Sequence, residues 1–162
     1  MPDLSPEAFN AWLAGVSLKD LSVWRSITER HQAELPSKHE MRIGDLAEIR
    51  SATETEVEIL HTYACELWAG HETPVAQLEV TFRVVYGTPS KITDDAFEQL
   101  KRKTLRLNTI PFAREFLRDA TSRMGFAPAL LPLSVFSPPS RSPEPEPPAR
   151  KRKAKRGPKA TS

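Results

Sequence analysis

The sequence predicts an α+β fold: one four-stranded antiparallel sheet with two long helices packed on one face. Three observations predict it. Leu78, Val80, Phe82, Val84 and Tyr86 alternate with Gln77, Glu79, Thr81 and Arg83, the period-two pattern of a strand with one buried and one wet face. Three earlier stretches carry weaker versions of that alternation. Two amphipathic helical stretches follow the strands, and their apolar stripes need a sheet to cover.

In chain order, Ser5 as N-cap, Pro6 at the first helical position and Glu7 in the first turn open a short helix over residues 5–14. Ala8, Phe9, Trp12 and Leu13 share one face of it, and Gly15 ends it. From Leu18 the period changes to that of a strand. Leu21, Val23 and Ile27 alternate with Ser22, Trp24 and Ser26, interrupted by Arg25. Residues 31–39 read as a polar connection containing Pro36. Met41, Ile43 and Ile49 predict a second strand, weakened by Gly44 and Asp45. The third strand, residues 54–68, places Val57, Ile59, His61, Tyr63, Cys65 and Leu67 on one side, and residues 70–74 form a hairpin loop before the fourth. Thr93 caps the next helix, with Asp94 and Asp95 at its positive end and Lys101, Arg102 and Lys103 toward its negative end. Its stripe is Ala96, Phe97, Leu100 and Leu107. Pro111 opens a second helix with Ala113, Phe116, Leu117, Ala120 and Met124 on its apolar face, and Gly125 ends it.

Charge divides the 162 residues into a domain, 1–136, and a tail, 137–162. The tail holds eight Lys or Arg and two Glu, a net +6, so against a total of +2 the domain carries −4. The tail also holds 7 of the 15 prolines and no aromatic residue, a composition that cannot bury a core and predicts disorder. The pI of 8.8 therefore describes a mildly acidic domain with a basic appendage. Cys65 is the single cysteine, which rules out an intrachain disulfide, and its strand setting suits a small buried residue rather than a nucleophile. The N-terminus lacks the basic and apolar regions of a signal peptide, and no apolar run reaches membrane-spanning length. These features predict a soluble cytoplasmic protein.

Chemistry-bearing motifs are sparse. His31, His39, His61 and His71 do not combine at metal-ligand spacing, Asp94 and Asp95 are explained by the helix dipole, and phosphate-loop, dinucleotide and nucleophile-elbow motifs do not occur. The expectation is a protein that is not an enzyme and uses no metal or cofactor.

The segment from Asn108 to Phe136 is the most specific part of the chain. Pro111-Phe112-Ala113-Arg114-Glu115 is similar to the PYARE-like helix start of the SecB export-chaperone family, and Ser122-Arg123 with Phe126 to the turn after that helix. Lys19-Asp20 before the first strand, and Glu79 seven residues before Tyr86, also fit the family's pattern. The resemblance spans Leu18 to Phe136, about three-quarters of the chain. Trp24 stands where a further Glu is usual, Gln77 where an apolar residue is usual, and Pro128 is shifted by one.

The resemblance implies an ATP-independent chaperone that holds unfolded or aggregation-prone polypeptides and assembles as a homotetramer, a dimer of dimers. Its partners would be unfolded clients with either the export translocase ATPase or, as for divergent members, an antitoxin. Trp24, Met41, Trp68, Phe112 and Phe126 are the candidates for an apolar client groove, and Asp20 and Glu79 for translocase contact. The alternative is a small nucleic-acid-binding accessory protein acting through Arg150, Lys151, Arg152, Lys153, Lys155 and Arg156. A plain oligomeric scaffold is a third reading.

The tail supports one prediction of its own. Residues 137–162 should be dispensable for holding clients but should add salt-sensitive affinity for polyanions. Neutralising about four to six phosphates gives a log–log salt slope of roughly −3 to −5. Equal nucleic-acid binding by full-length and tail-deleted protein would contradict this.

Overall fold

The strand with the cleanest alternation lies inside the sheet, as its two-sided pairing demands. In the computed structural model, which describes residues 5–33, 40–69 and 74–129, four strands form one antiparallel sheet in the order β1-β4-β3-β2. They are β1 (Ser17–Arg30), β2 (Glu40–Ala52), β3 (Glu56–Trp68) and β4 (Pro74–Gly87). β2, β3 and β4 form a meander, and β1 pairs along the other side of β4. The connections expected at 31–39 and 70–74, and the tail beyond residue 136, lie wholly or largely outside the described residues.

One face of the sheet forms the core. Val57, Ile59, His61, Tyr63, Cys65 and Leu67 on β3 pair with Tyr86, Val84, Phe82, Val80, Leu78 and Ala76 on β4, and all twelve are buried. β1 differs from its sequence reading. Its pairing slips between Leu18 and Asp20 and again between Val23 and Arg25, so the strand carries two bulges. Leu18, Leu21 and Val23 stand opposite inward-facing β4 residues, whereas Ile27, opposite Glu79, turns to the outer face instead of continuing the apolar side.

The helical part also differs. α1 (Pro6–Leu13) begins as expected, with the Ser5 hydroxyl accepting from the Ala8 N–H, and its Phe9 is fully buried. α2 (Asp94–Leu100) is capped by Thr93 and runs through a π-turn, Lys101–Leu105, directly into α3 (Arg106–Arg123). Pro111 therefore sits within α3 rather than opening it. The carbonyl its missing N–H would have bonded is that of Leu107, and both residues are exposed, so water can satisfy it. The π-turn has a reason in the sequence. Ala96 and Leu100 are buried, as are Leu105, Thr109, Ala113, Leu117 and Thr121, so every interval is four except the five between Leu100 and Leu105. One residue too many separates two α-helical stripes, and the π-turn absorbs it. The same phase shift turns Leu107 out to solvent rather than into the stripe.

α3 ends where expected. Gly125 adopts φ +78, its N–H bonds Ser122 O, and the Phe126 N–H bonds Thr121 O, a Schellman pair.

Two outcomes test this account. Deleting the exposed Arg102 should let the helix run as continuous α-helix with both stripes in phase, leaving the circular dichroism spectrum intact and the Tm unchanged or raised. A fall of many degrees would contradict it. Gly125→Ala should cost about 1 kcal/mol, from backbone conformation alone, because the new Cβ would meet only the Arg30 guanidinium at an ordinary 3.9 Å.

Candidate functional site

A trough lies where the helices fail to reach β1. Among the exposed large apolar side chains are Leu18 (48%) and Val23 (60%) on the inner side of β1 and Phe112 (52%) on α3. Val23 pairs with Phe82, whose ring lies 6.4 Å from that of Phe112, so the two exposed groups share a neighbour. Farther along, Ser26, Thr28 and Arg30 face Phe116, Ala120 and Met124 across a groove of about 410 Å³. The outer edge of β1 has no strand partner among the described residues. The trough thus combines a floor of apolar side chains with a row of backbone donors and acceptors, the two features an extended peptide can use together.

What holds α3 away from β1 is a polar tie on the opposite side. Asp45, on the inner face of β2, accepts a forked pair from Arg106, Nε at 3.0 Å and Nη2 at 2.7 Å. His61, fully buried on β3, places Nε2 3.1 Å from the same carboxylate and Nδ1 2.9 Å from the Thr109 hydroxyl. An ionised carboxylate only accepts, so His61 Nε2 carries a hydrogen. Thr109 also meets the Tyr63 hydroxyl at 2.9 Å and donates to Leu105 O, and Asn108 donates to the Tyr86 hydroxyl. The His61 and Arg106 hydrogen bonds hold the Asp45 carboxyl below its ordinary range. Burial pushes the Tyr63 phenol up to about 12 and the Cys65 thiol up to about 11, which makes the thiol a poor nucleophile.

The outer face carries a chain of ion pairs. Arg83 bridges Asp20 (2.7 Å) and Glu58 (2.9 Å), and Glu58 also takes Arg50 (2.7 Å). Arg83 first, then Arg50, lowers the Glu58 carboxyl below its usual range. The Arg50 guanidinium lies 4.3 Å from the centroid of the Trp24 ring, and Arg42 lies 4.4 Å from that of Trp68. Glu79, opposite Ile27 on β1, lines a shallow hollow with Glu29 and Glu66.

The residues expected to form one client groove are therefore spread out. Phe112 lies in the trough. Phe126 is buried against Arg30, its ring centroid 5.2 Å from the guanidinium. Met41 lies opposite Leu67 on β2, at the far edge of the inner face. Trp24 and Trp68 are on the outer face. Asp20 and Glu79 share that face, but Asp20 pairs beside Val85, six residues from Glu79 along β4, or about 20 Å. The six tail residues Arg150, Lys151, Arg152, Lys153, Lys155 and Arg156 lie outside the described residues. Sequence reasoning missed Leu18, Val23 and the Asp45–Arg106–His61–Thr109 tie. An acid at a position facing inward, two residues off register from a histidine on the same face of the next strand, was the available signal for the tie.

Asp45→Ala strips Arg106 and His61 of their shared acceptor and should cost about 2–4 kcal/mol at neutral pH. Because the folded-state pKa is depressed, this contribution is complete above the ordinary carboxyl range and is lost as pH falls through it. Urea unfolding of both proteins should show the gap narrowing below about pH 4. A gap that stays constant down to pH 2 would contradict the assignment.

No protein-family model and no curated protein matches the sequence. Solved structures do resemble the fold. One is the Mycobacterium tuberculosis Rv1957 SecB-like chaperone in complex with a ChAD peptide from the Rv1956 HigA1 antitoxin, with a TM-score of 0.64 and 18% identity over 77% of this chain and 95% of that one. Another is a protein of unknown function from Streptococcus agalactiae, with a TM-score of 0.48 and 9% identity over 72% of this chain and 96% of that one. No helix among the described residues is long and apolar enough to cross a membrane. The four-stranded antiparallel sheet with its helices on one face is the fold of a SecB-like chaperone.

Proposed function

We propose that this protein is an ATP-independent holdase whose clients lie extended in the trough between β1 and α3, and that its partner is an antitoxin-like polypeptide rather than the export translocase. The observation that carries the reading is the exposure of Leu18, Val23 and Phe112 beside a strand edge that has no partner among the described residues. Covering one such side chain is worth about 1.5–3 kcal/mol, so a soluble chain leaves several together only where something binds. The likeness to a chaperone carrying an antitoxin peptide supports the choice of client class. Against export, Asp20 is paired with Arg83 and Trp24 stands where a further Glu is usual, so the acidic surface of the outer face is confined to the hollow of Glu29, Glu66 and Glu79. The expected homotetramer would assemble through a surface other than this β1 edge, and a client reaching Trp24 and Trp68 would have to pass onto the outer face of the sheet.

Suppression of aggregation tests the reading. The purified protein, at a few-fold excess and without nucleotide, should slow aggregation of an unfolded test protein. Phe112→Ala should weaken capture about 5–30-fold while leaving the Tm within a few degrees, since its side chain is half exposed. Aggregation at the unassisted rate would end the holdase reading, and unaltered capture by Phe112→Ala would move the site elsewhere. Light scattering checks the assembly, where a stable monomer at micromolar concentration would contradict the tetramer.

A further inference from the structure

We propose that Arg30 is a positioning residue for the trough: its guanidinium clasps the segment Met124–Ala129 to the end of β1 and so fixes where the trough closes. The inference deepens the client-binding reading and rests on it for its consequence, although the clasp itself is a structural claim.

Arg30 is the last residue of β1. Its Nη1 donates to Met124 O at 2.6 Å and its Nε to Gln32 O at 2.8 Å, while its carbon lies 5.2 Å from the centroid of the Phe126 ring. These contacts join three pieces of chain: the exit of β1, the end of α3 and the turn after it. A helix C-terminus leaves carbonyls without intrahelical partners, and its dipole favours a cation there. The Schellman pair at Gly125 and Phe126 satisfies Thr121 and Ser122, and Arg30 takes the carbonyl of Met124. From the other side, the Thr121 hydroxyl accepts the Ala129 N–H at 2.9 Å. Phe126 is thereby buried although the next two residues, Ala127 and Pro128, are exposed.

Arg30 and Met124 both line the groove, so the pair they form is its end wall. An arginine suits the task because its rigid fork reaches two carbonyls on different elements while its face rests on an aromatic ring. Lysine offers one mobile ammonium. Loosening the clasp would free the end of α3 that carries Phe116, Ala120 and Met124, and the floor of the trough would lose its fixed distance from Ser26 and Thr28.

The full chain carrying Arg30→Gln or Arg30→Lys tests this in two steps. Hydrogen exchange at the Phe126 and Ala129 amides should quicken at least about 10-fold in Arg30→Gln and less in Arg30→Lys, with β3 amides unchanged. The Kd for a reduced, carboxymethylated test protein should rise about 3–10-fold in Arg30→Gln, and Arg30→Lys should recover part of the loss. Unchanged exchange at both amides overturns the clasp. Faster exchange throughout, β3 included, indicates a global loss of stability and overturns it too. Local loosening with unaltered Kd overturns the positioning role. If the parent protein captures nothing, the client reading fails, and the exchange data alone decide the clasp.

Discussion

A single helical rod is too narrow to cover a four-stranded sheet, and the rest of the molecule follows from that mismatch. A helix with its side chains is about 10 Å across, whereas the outer strands of four lie about 14 Å apart. The run from α2 through α3 therefore covers β3 and β4, whose inward residues are buried, and leaves the inner sides of β1 and β2 half open. Sequence composition agrees with this division. The covered strands carry the unbroken apolar alternation, and the outer strands mix Leu18, Val23 and Ile43 with Ser, Thr and charge.

Where the rod lies is decided by polar groups. The Asp45–Arg106 fork and the His61–Thr109–Tyr63 hydrogen bonds draw the first half of α3 toward β2 and β3. The trough consequently opens on the β1 side. Such a tie adds directional contacts to a core whose remaining packing is non-directional, and the five-residue interval that forces the π-turn is what brings Arg106 and Thr109 to the sheet. Arg30 closes the other end of α3. One helix is thus held at two points, with a span of exposed apolar surface between them and β1.

Much of this was legible in the sequence. Strict alternation announced β4 and β3, the Ser5 and Thr93 caps and Gly125 marked helix ends, and the motif around Pro111 to Phe126 pointed to the right fold. The phase of β1 was not legible, because a bulge adds a residue without a compositional mark, and Ile27 is as apolar as a core residue while facing outward. Pro111 misled because a proline is tolerated within a helix when its orphaned carbonyl faces water, a property of the folded surface. The candidate site was only partly readable for a related reason. Large aromatic residues can be listed from the sequence, but which face each occupies depends on register, and register divided Trp24 and Trp68 from Phe112.

The outer face shows what the same fold does with charge. Asp20, Arg83, Glu58 and Arg50 satisfy one another and Arg50 covers Trp24, so this part of the outer face is internally compensated while the inner trough is not. The central claim is that the uncovered inner side of β1 and the facing side of α3 receive an extended client. Hydrogen exchange of the full chain with and without a permanently unfolded test protein measures this most directly. Exchange should slow along residues 18–28 and 112–124, with the outer edge of β2 unchanged. Protection confined to β2, or none anywhere at saturating client, would contradict it.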